Sequence, residues 1–349
     1  MRGSLFSLLL IITFSLSSFS QPLKAGSKSD ISKIEDSMKI YGNRMITEKT
    51  ASQRFVADSV FIRMMVRALR TPNSFYYPFD SLETVSRIYA PDSSFRIFSW
   101  QFTRDDDYYR QRGAIQMRTK DGSLKLFPLV DMSDFTTAPQ DSIRTGNNWI
   151  GAIYYGIVEK TFNGKNYYTL LGFDDNNMRS TKKWAEVLSF DTQGRPIFGG
   201  PFFSIPTDEV RTSGSRQGRF MMEYKKDGRA KLNYDKELDM IVYDHLVSES
   251  NEPDKAYTMV PDGDYQGFKW INGRWTYVDK IFDYKLQDGQ APMPAPLKDA
   301  NGRSDELKLM QQSEINRKNQ KQPTPAPVPK KPVIQKAKEP KQAKDDDSY

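Results

Sequence analysis

The chain is predicted to be mainly β: an antiparallel meander folded as a sandwich, a barrel or a small propeller, preceded by a pair of helices. Three observations carry this. Between about residues 84 and 285 the apolar residues come in short aromatic and β-branched runs, the composition that suits a pleated, half-buried surface. Asp121-Gly122, Asn163-Gly164, Asp227-Gly228, Asp262-Gly263 and Asn272-Gly273 punctuate them, and such pairs supply the positive φ of a two-residue hairpin. No helical periodicity lies between the runs, whereas a parallel crossover needs a dozen or more residues and usually a helix.

The N-terminus reads as an address. Arg2 precedes an apolar run over residues 5–16, and Ser18-Phe19-Ser20 offers small residues for cleavage, so residues 1–20 are expected to be a signal peptide and the mature chain to begin near Gln21. Twelve apolar residues are short of the roughly twenty that span a bilayer. The implied location is extracytoplasmic, in a periplasm or at a cell surface. The sequence contains no cysteine, which excludes disulfides, thiolate metal sites, a cysteine nucleophile and a lipid-anchored form.

Residues 21–72 are expected to be a helical segment. Ile31, Ile34, Met38, Tyr41 and Met45 recur at steps of three and four, and Ser32 with Glu35 has the spacing of a capping box. Gly42 weakens the middle of this helix. A second helix starts at Thr50, where Gln53 closes another capping box; it runs through Phe61, Met64 and Leu69 and ends at Thr71-Pro72-Asn73, with Arg67 and Arg70 in its last turn. The methionine stripe (Met38, Met45, Met64, Met65) suits packing on the main domain or docking of a partner.

Residues 73–286 form the β domain, with strands expected at 85–89, 95–102, 124–130, 149–160, 166–173, 185–190, 220–224, 230–234, 240–247, 257–260, 265–271 and 275–282. After Leu286 the pattern stops. Residues 287–349, with "PTPAPVPKKPVIQKAKEPKQAK", bury too little to offset their ordering entropy and are expected to be a disordered Pro/Lys-rich tail.

The net charge of +7 is concentrated in that tail. Nine Lys or Arg against one acid between 317 and 344 give a local excess of +8, which leaves the remainder at −1. A nucleic-acid-binding domain carries its basic stripe on the folded surface, so nucleic acid is not the expected partner. Cations on an extended, stiff backbone suit an anionic envelope polymer or an acidic protein.

One stretch draws attention as a site: "LLGFDDNNMRSTKKW", residues 170–184, in which Asp174, Asp175, Asn176, Asn177, Arg179, Lys182 and Lys183 crowd between two strands. Consecutive acids and amides lack the alternate ligand spacing of a calcium loop, and a single glycine leading into a strand is not a phosphate cradle. The favoured reading is a solvated loop with internal ion pairs; contact with a polar ligand is the alternative. Asp262-Gly263-Asp264 starts like a calcium loop, but Gly273 stands where the closing Glu belongs. No metal and no cofactor is called for. His245 is the only histidine; alternation places it with Ile241, Tyr243 and Val247 on one strand face and Asp244 on the other, as a packed, hydrogen-bonded side chain. One His and no Cys exclude the zinc sites built from those ligands, and no G-x-S-x-G elbow accompanies it. Paired carboxylates remain, as in glycoside hydrolysis. Asp105 to Asp107, Glu159, Glu186 and Asp239 stand near strand ends, among 44 acids in all, and spacing alone pairs none of them.

From "YYTLLGFDDNNMRSTKKWAEVLSFDTQGRPIFGGPFF" through "LNYDKELDMIVYDHLVSE" to "YTMVPDGDYQGFKWINGRWTYVDKIF", the chain resembles exported bacterial proteins of unassigned function. They share an "LLG-W/F-D-x-N-N" segment, a "V-L-x-F" strand, a "G-x-P-x-F-G" turn, "D-H-L" and a closing "G-x-Y-x-G-x-x-x-x-N-G-x-W". The resemblance covers about residues 145–282 and implies an exported β-rich domain without a known catalytic residue. The expected function is therefore binding or scaffolding in the cell envelope by a protein without recognisable catalytic apparatus; the alternative is a carbohydrate- or peptidoglycan-directed hydrolase using paired carboxylates.

Overall fold

Two antiparallel-packed helices open the fold, α1 (Ala25–Thr47) and α2 (Ala51–Leu69), in a computed structural model that describes residues 23–104, 108–205, 218–281 and 310–311. The Thr50–Gln53 capping box forms as the spacing requires. Ser32–Glu35 does not cap: α1 begins about two turns earlier, behind Lys24, and Glu35 is buried, accepting from the Tyr77 hydroxyl at 2.5 Å and the Ser81 N–H at 2.8 Å. Gly42 has a packing role, since a Cβ there would lie 2.7 Å from Thr84 Oγ1. Met38, Met45 and Met65 are buried against the first sheet with Phe61, Phe98, Trp100 and Phe102, so most of the stripe is core and not a docking face.

Three antiparallel sheets follow, and no barrel closes among the described residues. The first is a four-stranded meander, β1 (Ser86–Tyr89), β2 (Phe95–Thr103), β3 (Tyr109–Met117) and β4 (Lys125–Val130). The second orders β5 (Arg144–Thr145), β9 (Pro196–Phe198), β8 (Ser180–Phe190), β7 (Lys165–Asp174) and β6 (Ile153–Phe162), with β11 (Arg219–Lys225) continuing along β8 beside β9. The third orders β10 (Phe203–Ser204), β15 (Arg274–Val278), β14 (Met259–Ile271), β13 (Met240–Ser248) and β12 (Leu232–Asp235). The short β10–β15 pair is parallel, an exception to the expected antiparallel pairing.

These elements stack as helices, first sheet, second sheet and third sheet, with a core between each pair of layers. Alternation within a strand assigns residues to layers. In β2, Phe98, Trp100 and Phe102 meet the helices, while Phe95 and Ile97 face the second sheet. In β8, Trp184 and Leu188 face back to the first sheet, and Ala185 and Val187 face the third. Both faces of these two strands are covered, and burial is continuous over Phe95–Trp100 of β2 and Trp184–Ser189 of β8.

The glycine pairs behave unequally. Asn163-Gly164 and Asn272-Gly273 are two-residue hairpins with positive φ at both positions (49° and 71°; 50° and 79°). Asp227-Gly228 instead follows β11 where the chain crosses from the second sheet to the third, because β11 pairs β8 and β12 pairs β13. Asp262-Gly263 is no turn at all: it lies within β14, which is continuous over the two strands expected there, at a bulge facing His245. That bulge, between Asp244 and Leu246, breaks the expected alternation. His245 is half-exposed, with Nδ1 2.8 Å from Asp262 Oδ2, and Asp244 is buried, accepting the Lys231 N–H at 2.8 Å.

Two buried cations staple the layers. The Arg96 guanidinium donates to Gln116 Oε1 at 2.9 Å and to the Ser74 carbonyl at 2.8 Å, with Phe98 4.6 Å beneath it, and burial pulls it down to about 10. Arg219 Nε donates to Glu186 Oε2 at 2.6 Å; the Tyr154 hydroxyl donates to the other oxygen and accepts from Trp149 Nε1 at 2.7 Å. Glu186 is thus a buried structural acid and is not poised for hydrolysis.

Residues 1–20, expected to be a signal peptide, Asp105 to Asp107 and, apart from Met310 and Gln311, residues 287–349, expected to be a tail, lie outside the described residues. No helix among the described residues is long and apolar enough to cross a membrane.

Candidate functional site

The inward faces of the first and second sheets change character along their length. β2 presents Phe95, Ile97, Ser99 and Gln101 in turn; β3, running antiparallel in register, presents Ile115, Gly113, Gln111 and Tyr109. Across from them β7 presents Tyr168, Leu170, Gly172 and Asp174, paired to Leu188, Glu186, Trp184 and Lys182 of β8. Each strand therefore has one end in apolar core and the other in polar side chains, and at the polar end a cleft of about 640 Å³ opens.

Its floor is a bridge between sheets. Gln111 Nε2 donates to Asp174 Oδ1 at 2.5 Å, and Gln101 Nε2 donates to Asp175 Oδ2 at 2.9 Å; the two glutamines are cross-strand partners, so they grip consecutive acids of the β7–β8 hairpin. Gly151 permits the close approach, because a Cβ there would fall 2.5 Å from Gln111 Cβ. Asp174 is only 7% exposed. Burial lifts its carboxyl from the ordinary 3.8 to about 6; the Asn176 N–H at 2.8 Å and the Lys182 charge oppose the rise, and the Asp131 and Asp175 charges add to it.

The walls come from β2, β3 and the short 3-10 turn Ser133–Phe135. Asp131 orders that turn by accepting from Ser133 N–H at 3.0 Å and Oγ at 2.7 Å, and it also accepts the Gln111 N–H at 3.2 Å. Asp134 receives Arg104 at 2.5 Å and Arg110 at 3.0 Å. Two rings stand out into solvent at the mouth: Phe135 is 76% exposed and Tyr108 48%.

Of the seven residues singled out from sequence, Asp174, Asn176 and Lys182 line this cleft. Asp175 lies behind it, paired to Lys226 at 2.8 Å. Asn177 shapes the turn, its Oδ1 accepting the Arg179 and Ser180 N–H groups at 2.8 and 3.0 Å. Arg179 points away, its guanidinium 3.5 Å from the centre of the Tyr257 ring. Lys183 sits on the opposite face of β8, over Tyr155 at 5.6 Å, and burial lowers its ammonium. The expected self-contained ion pairs are not what forms. Asp175 finds its opposite charge in Lys226, just past β11, and Lys182 in Glu223 of β11 at 3.9 Å, and Asp174 is buried, not solvated. Glu159, held by Asn166 at 2.7 Å, and Asp239, held by Lys160 and Tyr234, are elsewhere.

Arg104, Tyr108, Tyr109, Gln111, Ser133, Asp134 and Phe135 were not foreseen. The signal available was the switch from apolar to polar at alternate positions of "FRIFSWQF" and "YRQRGAIQM". Comparison of the chain with family models, with curated proteins and with solved structures gave no match.

Proposed function

We propose that this is an exported envelope protein that binds a glycan polymer through the cleft between the β2–β3 and β7–β8 hairpins. The observation that carries the reading is the pairing of exposed rings, Phe135 and Tyr108, with a floor of planar amides and carboxylates, Gln111, Asn176, Asp134 and Asp174. A sugar ring offers an apolar C–H face that stacks on an aromatic ring and a rim of hydroxyls that such side chains hydrogen-bond. The helices and the apolar ends of the sheets act as a rigid mount. The Lys-rich tail supplies a second, salt-sensitive contact to anionic envelope polymer.

Co-sedimentation of the protein with purified cell-wall sacculi tests this. Wild type is expected to pellet with the sacculi and Tyr108→Ala/Phe135→Ala to remain in the supernatant at 300 mM salt; equal pelleting of both would refute the cleft's role.

A second reading has one observation in its favour. A carboxyl lifted to about 6 beside an ion-paired one, Asp174 and Asp134, is the kind of unequal pair that an acid-assisted glycosidase uses. Release of reducing sugar from the same sacculi, abolished in Asp174→Asn, would establish it.

A further inference from the structure

The charges around the cleft identify the class of glycan, an inference that rests on the glycan-binding reading. Arg104 and Arg110 converge on Asp134, and Arg110 also reaches Asp131 at 3.5 Å. Lys226 holds Asp175, and Lys182 lies between Glu223 and its cross-strand partner Asp174. Four cations thus meet five carboxylates. An anionic sugar would bring a further negative charge into a partly desolvated space where each of these cations already faces a carboxylate, with which it would have to compete.

The hydrogen-bonding capacity points the same way. Ionised carboxylates only accept: Asp134 already accepts from Arg104 and Arg110, and Asp174 from Gln111 and Asn176, so any further bond that either makes when charged is to an O–H or N–H donor of a ligand. Hydroxyls and acetamido N–H groups are such donors; a uronate or phosphate contributes more acceptors instead. Lys182, 3.9 Å from Glu223 and lining the cleft, supplies donors for the ligand's own oxygens. At the mouth, Phe135 offers a stacking face whose strength does not depend on salt, and Tyr108 offers the ring face away from the Arg104 guanidinium, which lies 5.3 Å from its centre.

We infer that the cleft selects an uncharged, hydroxyl- and amide-rich glycan and discriminates against acidic ones. Cleft and tail then read different features of the envelope: the cleft neutral sugar, the tail fixed negative charge.

Isothermal titration of the full chain with a β-linked N-acetylglucosamine tetramer, cellotetraose and tetragalacturonate, each at 50 and 300 mM salt, tests the inference. The readout is the binding component lost in Phe135→Ala, whose exposed ring is not needed for folding; this sets aside polyanion contacts made by the tail. A neutral tetramer is expected to show that component, with Kd changing less than twofold between the two salts and weakening at least tenfold in the variant. Tetragalacturonate showing the tighter Phe135-dependent binding, weakened by salt, would overturn the selectivity while leaving glycan binding intact. Absence of a Phe135-dependent component for all three would overturn both readings.

Discussion

The two ends of the space between the first and second sheets are made by the same four strands and serve opposite purposes. At one end Phe95, Ile97, Ile115, Tyr168, Leu170 and Leu188 pack into an apolar cluster; at the other, the same strand faces present Gln101, Gln111, Asp174 and Lys182. The change takes three alternate positions per strand, roughly 20 Å at about 3.4 Å per residue. Burial at the dry end stabilises the stack. The wet end keeps a carboxyl and several amides in fixed positions at some cost in stability. With the proposed glycan binding at the wet end, stability and binding would be separated along a single strand, and variants at the two ends should separate them as well.

The largest expected effect is at the dry end. Phe95 is fully buried and meets Tyr168 and Phe190 edge-on at 4.8 and 5.2 Å. Phe95→Ala should destabilise by about 3–5 kcal/mol, the range for deleting a core phenylalanine, in urea denaturation, while sacculus binding below the transition stays at the wild-type level. A parallel loss of binding would mean that the two ends are not independent.

Asp174→Asn comes next and acts at the wet end with the opposite sign. The carboxyl rises from 3.8 unfolded to about 6 folded, so between those values the native state holds a proton that the unfolded chain has released. Stability contributed by this group is therefore present at low pH and falls as pH rises from about 4 through 6. At about 1.4 kcal/mol per pH unit the difference is on the order of 3 kcal/mol. The amide keeps an oxygen for the Gln111 and Asn176 N–H groups and carries no charge. The variant should thus be more stable than wild type at pH 7.5 and nearly equal at pH 4; an unchanged difference across that range in thermal melts would show that Asp174 is not buried as described.

Much of the scaffold was legible in the sequence because it depends on short-range rules. Period-two apolar runs marked β2, β4, β7 and β13, Thr50 and Gln53 marked the start of α2, and Asn163-Gly164 and Asn272-Gly273 marked two hairpins. Of the four strands that build the cleft, β3 was missed and β8 was shortened. β3 has few apolar residues because its outer half faces the site through Gln111 and Tyr109, and β8 reads as beginning five residues late because Ser180 to Lys183 are polar for the same reason. Asp174 and Asp175 were noticed as a cluster, but their partners Gln111, Gln101 and Lys226 are 51 to 74 residues away, a distance that no local pattern spans. Asp262-Gly263 misled for a related reason: a glycine with φ of 96° serves a bulge as well as a turn, and only the strand opposite decides which.

The smallest expected effect probes how far the wet end extends. Arg179 at the tip of the β7–β8 hairpin lies over Tyr257, which belongs to the turn leading into β14, so this contact is what ties the hairpin tip to the third sheet. An exposed cation over an aromatic ring contributes roughly 0.5–1 kcal/mol, and Arg179→Ala should lower stability by no more than that. The floor of the cleft is held independently, by Gln111 and Gln101 from the first sheet, so glycan affinity in the variant should match wild type within twofold. A tenfold weakening would mean that the hairpin tip positions Asp174 and Asn176 through its anchor on the third sheet. The boundary between mount and site would then run between the second and third sheets instead of across the middle of β7.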